Sequence, residues 1–237
     1  MNLYNKEKAV ALTGAGMSAD SGITTFRDSG GLWEGVDVME VASIEGWNRD
    51  PEKVLEFYNS RRRQLKEVQP NAGHLALKQL EKYYDVTIVT QNVDDLHERA
   101  GSSRIIHLHG ELTKARPVNA DGPVKDIGYD DIKPGDKDSE GRQLRPNIVW
   151  FGEMVPMMET AAREVARCDI LLVIGTSLAV YPAAGLVDLT QPGTPVYVID
   201  PKQPEFRFQS NVTFIQKTAA EGTPELVQDL IKKKKEH

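Results

Sequence analysis

The chain has 237 residues, 40% apolar and 27% charged, with a formal net charge of −6. That length buries a core without covalent staples, and the acidic balance argues against the basic face that broad nucleic-acid binding needs. One cysteine, Cys168, excludes an internal disulfide and any metal site built from several thiolates.

The N-terminal stretch lacks the apolar segment of a secretory signal, and no apolar run is long enough to span a bilayer. A cytoplasmic protein without membrane contact is expected. The first element is a strand over residues 9–12 (AVAL), apolar throughout as in a parallel strand covered on both faces. Gly14-x-Gly16-x-x-Ala19 follows it directly. The first glycine allows a tight turn, the second lets backbone approach a pyrophosphate, and Ala19 lets a new helix pack near the strand. Alone, this pattern is as compatible with a chance glycine turn as with a nucleotide site.

Residues 29–69 carry helical pattern, with Trp33 and Trp47 and few β-branched residues. Within them Val54, Tyr58, Arg61 and Leu65 follow a 4-3-4 spacing and are expected on one helix face. Arg61 then interrupts an apolar stripe while Arg62 and Arg63 turn away. An inward guanidinium needs a carboxylate partner, unless it snorkels or pairs with a local acid.

A helix over 72–83 and a strand over 86–89 (VTIV) come next. An extended run around His107 and His109 follows. The two imidazoles are expected to point to opposite faces, so at most one reaches a site; His109, followed by a glycine, is the better general base. Residues 114–146 are rich in Asp, Gly, Lys and Pro and lack apolar periodicity. A helix over 160–167 and strands at Ile170–Ile174 and Val196–Ile199 complete the alternation. Cys168, directly before an apolar strand, reads as a small core residue. The lysines at 232–235 read as a solvated helix end.

Alternating strands and helices indicate an α/β fold with a doubly wound, Rossmann-like parallel sheet. The two stretches that break the alternation, about 29–69 and 114–146, are expected to form a smaller inserted lobe. The larger lobe then comprises about 1–28, 70–113 and 147–237. In such a sheet ligands bind beyond the carboxyl ends of the strands. Here those ends read Thr13-Gly14-Ala15-Gly16, Thr90-Gln91-Asn92-Val93-Asp94, Gly175-Thr176-Ser177 and Asp200-Pro201-Lys202. All four offer small, amide or hydroxyl groups suited to ribose and phosphate.

The set Gly14-Ala15-Gly16-x-Ser18-x-x-Ser21-Gly22-Ile23 with Phe26-Arg27, Gln91-Asn92-x-Asp94, His109-Gly110, Val149-Trp150-Phe151-Gly152-Glu153 and Gly175-Thr176-Ser177 resembles the sirtuins, NAD-dependent protein lysine deacylases. The resemblance implies that NAD is consumed as a co-substrate. The acyl oxygen of a modified lysine attacks the nicotinamide ribose and nicotinamide leaves. His109 then activates a ribose hydroxyl, and the products are free lysine and O-acyl-ADP-ribose. Asn92 and Asp94 would hold the nicotinamide and its ribose, and Gln91 the ribose hydroxyls. Phe26 and Arg27 would cover the cofactor, with Gly14, Ala15, Gly16 and Ala19 also at its site. Gly175, Thr176 and Ser177 would line the adenosine and phosphate side.

Val149, Trp150, Phe151 and Gly152, with residues 177–182, resemble strands that sandwich an acylated substrate peptide by β-augmentation. Tyr58 and Arg61 resemble the pair of a subgroup that removes succinyl and malonyl groups, with Arg61 gripping the distal carboxylate and Tyr58 adding a hydrogen bond. Deacetylation is expected alongside.

Three positions depart from or extend the family pattern. Many sirtuins carry four zinc-binding cysteines on the small lobe; the corresponding stretch here has none, so no metal is expected. That lobe would instead pack around Ile127, Tyr129, Ile132 and Leu144. Asp200 stands where Asn is common and would favour NAD over a 2′-phosphorylated cofactor. Ala219 matches an adenine contact, with Ala220 as the alternative. The expected partners are acylated protein lysines, with a monomeric enzyme. Mono-ADP-ribosyl transfer, or a catalytically silent NAD or ADP-ribose module, are the alternative readings.

Overall fold

The computed structural model describes residues 6–24, 32–33, 35–118, 122–178, 180–203 and 211–236. In chain order the strands are β1 (Lys8–Thr13), β2 (Leu32–Trp33), β3 (Val36–Asp37), β4 (Asp85–Thr90), β5 (Ile105–His107), β6 (Gly110–Pro117), β7 (Lys125–Asp126), β8 (Leu144–Ile148), β9 (Ile170–Ile174), β10 (Val196–Ile199) and β11 (Val212–Ile215). The α-helices are α1 (Gly16–Ala19), α2 (Val38–Val41), α3 (Ile44–Arg49), α4 (Pro51–Glu67), α5 (Ala72–Leu80), α6 (Leu96–Arg99), α7 (Met158–Val165) and α8 (Ala219–Glu236).

Six strands form one parallel sheet in the order β11-β10-β9-β1-β4-β5. The chain runs outward from β1 to β4 and β5, then returns to β9 on the other side. The topological switch therefore lies between β1 and β9. Register aligns Thr13 with both Thr90 and Ile174, so these three strands end on one rim. Residues Ala9 to Leu12 and Leu171 to Ile174 are at most 1% exposed. Helices α5 and α8 cover one face of the sheet through Leu77, Leu80, Val227 and Leu230. Helix α7 and the short 3-10 helix Ala183–Leu189 cover the other through Val165 and Leu186. Each such fully buried aliphatic side chain contributes about 1.5–3 kcal/mol. Cys168 packs in this second layer, where burial pushes its thiol up to about 11.

The polar stretch 114–146 is not a bare loop. β6 pairs antiparallel with β7 and with β8, and the apolar side chains of β6 and β8 join α2, α3 and α4 in a third core. Ile132 and Leu144 are buried in it, with Ile127 and Tyr129 packed against its edge, as expected from sequence. The hairpin before β8 is tied by its own side chains: the Asp138 carboxylate accepts from the backbone of Glu140 (3.0 Å) and Arg142 (2.9 Å), and from Arg142 Nε at 2.7 Å.

The reading of α4 needs correction. Its N-cap Asp50 accepts from Lys53 N, Pro51 starts the helix, and Val54, Leu55, Tyr58, Asn59, Arg62 and Leu65 are buried. Arg62 faces inward with no exposed surface, whereas Arg61 is half-buried and Arg63 pairs with Glu56 and Asp131 outside. Of the expected face Val54, Tyr58 and Leu65 are buried, and Arg62 takes the inward place expected of Arg61. Arg62 is satisfied by the carbonyls of Asp130 (3.0 Å) and Leu112 (3.3 Å) and by Asn59 Oδ1. Burial chiefly lowers its pKa to about 10, against the raising effect of Asp131. Asn59 also bridges to Ile132, accepting from its N–H and donating to its carbonyl, both at 2.9 Å. Arg62→Leu therefore leaves buried carbonyls unpaired and should reduce unfolding free energy by about 1–3 kcal/mol. Urea titration measures this, and a midpoint unchanged from wild type would contradict the assigned role.

Candidate active site at the carboxyl rim of the sheet

The glycines after β1 serve a packing need that the sequence reading did not include. Gly14 N–H donates to Ile174 O (3.0 Å) and Gly16 N–H to Gly175 O (2.8 Å). A Cβ on Gly14 would meet Thr176 Cβ at 2.7 Å, and one on Gly16 would meet Gly175 Cα at 2.7 Å. Gly175 itself has φ +61°, and its Cβ would lie 2.4 Å from Met17 N. The loops after β1 and β9 thus touch backbone to backbone across the switch point. A side chain at any of the three would force them apart. Ala19 is only half-buried; Met17 is the α1 residue that enters the core.

Beside this junction the loop after β4 folds inward. Asn92 is 9% exposed, and its Nδ2 donates to Gly14 O (3.0 Å) and Ser18 Oγ (3.1 Å). Ser18 Oγ in turn donates to Asp94 Oδ2 at 2.8 Å, and Asp94 Oδ1 accepts from Leu96 N at 3.1 Å. Burial pushes the Asp94 carboxyl up to about 6, although the Ser18 and Leu96 hydrogen bonds hold it down. Gln91 Nε2 donates to Thr176 Oγ1 (3.1 Å), joining the loops after β4 and β9. Ser18, quoted only as part of a motif, is therefore the hub between Asn92 and Asp94. The signal available in sequence was a serine one turn into a helix that starts at a ligand rim. Ser18→Ala should lower unfolding free energy by about 1–3 kcal/mol through the partners it orphans; a melting temperature within error of wild type would refute this.

His109 lies past the end of β5, at the turn into β6. Its Nδ1 is 3.0 Å from Gln91 O, a pairing in which Nδ1 carries the proton and Nε2 remains a base. Burial lowers its pKa below the usual histidine value, and the Gln91 carbonyl only partly offsets this. The imidazole is thus neutral at pH 7. Gly110, at φ +83°, could carry no Cβ, which would fall 1.9 Å from Asn147 O. His109 O also accepts from Val149 N at 2.9 Å, fixing the segment 149–152 beside it.

The expectation that His107 and His109 face opposite ways fails. His107 Nδ1 contacts Asn92 O (3.3 Å), one residue from the carbonyl that His109 engages. Residues two apart in extended chain share a face. They differ instead in their second nitrogen. His107 Nε2 is paired with Glu98 at 2.7 Å. Burial lowers its pKa, but Glu98 and Glu111 outweigh that and the net shift is upward.

Asp200 is buried at the end of β10, with Oδ1 accepting from Lys202 N at 2.9 Å, and Ala219 begins α8 with 2% exposure. Ala15 and Ser177 are half-buried at the rim. Phe26 and Arg27 lie outside the described residues. Trp150 is buried, Phe151 is 44% exposed, and Gly152 is exposed with φ +89°. Phe151 N–H donates to Ala42 O at 2.8 Å, which ties this segment to the α2–α3 region. Arg61, with its guanidinium carbon 5.3 Å from the Phe57 ring centroid, lines a cavity of about 310 Å³ with Val36, Val41, Lys53, Glu56, Phe57 and Ser60. Tyr58 is fully buried, ring edge-on to the Phe57 that lines this cavity, and its hydroxyl meets Trp150 Nε1 at 3.1 Å.

A dinucleotide fits this rim on the structure's own terms. Backbone closes on itself at three glycines, while amide, hydroxyl and carboxylate groups converge from the ends of β1, β4, β9 and β10. Comparison with known proteins agrees. The Sir2 family model matches residues 14–182. An NAD-dependent protein deacylase of Bacteroides thetaiotaomicron is 55% identical over 227 residues, covering 94% of this chain and 97% of its own length. One of Helicobacter pylori is 54% identical over 222 residues, 94% of each chain. A solved Sir2 homologue–NAD complex superposes with a TM-score of 0.87 at 39% identity, over 97% of this chain and 91% of that one. A Sir2 protein bound to acetylated peptide gives 0.78 at 26% identity, over 97% of this chain and 94% of that one. The chain belongs to the Sir2 family.

Proposed function

We propose that this chain, an NAD-dependent protein-lysine deacylase by family, removes succinyl and malonyl groups as well as acetyl groups, releasing nicotinamide and O-acyl-ADP-ribose. The observation that carries the acidic-acyl part is Arg61. It brings a guanidinium to a cavity lined also by Val36, Val41, Phe57, Ser60, Lys53 and Glu56, and such a group suits a carboxylate bidentately. NAD, when bound, supplies a glycosidic bond whose cleavage frees nicotinamide and leaves a ribose carbon open to the acyl oxygen.

The chain's own residues do the rest. Asn92 and Asp94, linked through Ser18, present fixed carboxamide and carboxylate oxygens to the nicotinamide and its ribose. Gln91 and Thr176 present a joined amide and hydroxyl to ribose oxygens. Gly14, Ala15, Gly16, Ala19, Gly175, Ser177, Asp200 and Ala219 line the phosphate and adenosine side, and Phe26 and Arg27 cover the cofactor. Neutral His109 takes the proton of a ribose hydroxyl at Nε2, while the Gln91 carbonyl steadies the charged imidazolium through Nδ1. Val149 to Gly152 receive the peptide backbone, so the substrate partner is an acylated lysine in extended chain. The assignment of 29–69 and 114–146 to one smaller lobe, cytoplasmic location and a monomeric state belong to this same reading.

The test is a panel of succinyl-, malonyl- and acetyl-lysine peptides with NAD, followed by peptide mass. Removal of acidic groups at a kcat/KM equal to or above that for acetyl is expected. Removal of acetyl alone would overturn the acidic-acyl reading.

A further inference from the structure

Trp150 connects three parts of the molecule that the mechanism has so far left separate. An indole N–H is a donor only, so at 3.1 Å the Tyr58 oxygen must be the acceptor. The Tyr58 hydroxyl proton is then directed elsewhere. Neither ring can turn easily: Trp150 is 2% exposed and Tyr58 has no exposed surface. The Arg145 guanidinium lies over the Trp150 ring, 3.2 Å from its centroid, and Trp47 packs nearby with ring centroids 5.5 Å apart. Arg145 is held bidentately by Glu153 at 2.8 and 3.1 Å, and Glu153 Oε2 also accepts from Trp150 N at 2.8 Å. Arg116 adds contacts to both Glu153 oxygens, at 3.1 and 3.0 Å. On the other side Tyr58 packs edge-on against Trp33 and Phe57, which also meet each other, and Phe57 lines the Arg61 cavity. Burial also raises the Tyr58 pKa, which keeps the phenol protonated and a donor.

We propose that Trp150 is a specificity-determining positioning residue: its indole N–H, clamped by Arg145 and Glu153, occupies an acceptor site of Tyr58 and commits the phenol proton to the distal carboxylate of an acidic acyl-lysine. This deepens the acidic-acyl reading and rests on it. An acetyl group has no distal carboxylate to accept that proton, and a site built to hydrogen-bond its substrate discriminates against an analogue lacking the partner. Without the indole N–H, the Tyr58 hydroxyl can turn its proton elsewhere and the preference weakens.

The experiment uses the full chain as wild type, Trp150→Phe, Tyr58→Phe and the double variant. Succinyl- and acetyl-lysine peptides are compared by kcat and KM with NAD, and by calorimetric affinity without it. Trp150→Phe should lower the succinyl-over-acetyl ratio about 5–10-fold, through KM and peptide affinity rather than kcat. In the Tyr58→Phe background the same change should produce no further loss of ratio, because the two act through one hydrogen bond. Should Trp150→Phe fold poorly, site-specific replacement of that indole by its benzothiophene isostere keeps ring shape and removes only the N–H. An unchanged ratio in wild-type background, or an equal loss with and without the Tyr58 hydroxyl, overturns the proposal while the acidic-acyl reading stands. A wild-type enzyme that prefers acetyl and ignores succinyl overturns both.

Discussion

His109→Ala should lower kcat/KM for every acyl peptide by about 10²–10⁴-fold, the usual contribution of a positioned general base. The loss should fall on turnover, with NAD binding retained, because the rim is built by Asn92, Ser18, Asp94 and the glycine junction. The Gln91 carbonyl holds Nδ1, so the lost group is the free Nε2. The pH profile gives a second view of the same residue. Burial depresses the His109 pKa below its ordinary value, so the base form persists down through pH 6.5. Activity should therefore stay level between pH 8 and 7 and fall only below about 6.5. Asp94, raised to about 6, becomes protonated over a neighbouring range and belongs to the same acid limb. An acid limb centred above pH 7 would contradict a buried neutral base, as would a His109→Ala enzyme with more than a tenth of wild-type activity.

The second large effect separates acyl classes. Arg61→Met keeps length and apolar stem but removes the guanidinium from the cavity beside Phe57. A hydrogen bond to a charged group is worth about 1.5–3 kcal/mol, so desuccinylation kcat/KM should fall about 10–100-fold. Deacetylation should change several-fold less. Equal loss of both would mean that Arg61 supports the fold and does not grip a carboxylate. The neighbouring Arg62 is the contrast: it is fully buried, bonded to carbonyls of the small sheet, and its loss should reduce stability for every substrate alike.

Which features could be read from sequence follows from where the burial lies. β1, β4, β9 and β10 are covered on both faces, so they appear as short apolar runs and their ends mark the rim. β11 (VTFI) is half-exposed at the sheet edge and carried no such signal. The small sheet escaped notice because polar side chains hold much of it. Arg145 is buried against Glu153, the Ile148 carbonyl and the Trp150 ring, and Asn59 and Arg62 hydrogen-bond to residues 130–132. Hydrophobic periodicity does not register such pairs. On α4 the 4-3-4 spacing through Arg61 selected the wrong arginine: Tyr58, Arg62 and Leu65 are equally helical in spacing, and what turns Arg62 inward is the pair of carbonyls at Leu112 and Asp130. Conversely, Gly14-x-Gly16 was legible as a motif but not in its full physical sense. Its glycines are fixed by contact with Gly175, which is 159 positions beyond Gly16 in the chain. The link from Ser18 to Asn92 and Asp94 likewise joins loops that only the fold brings together.

The central claim is that NAD is consumed in stoichiometric exchange for the acyl group. The most direct measurement incubates purified protein with NAD and a succinyl-lysine peptide and quantifies nicotinamide, free-lysine peptide and O-acyl-ADP-ribose in the same sample by mass spectrometry. The account predicts equal amounts of all three and no deacylation without NAD. Deacylation that proceeds without NAD, or nicotinamide release with the peptide left fully acylated, would contradict it.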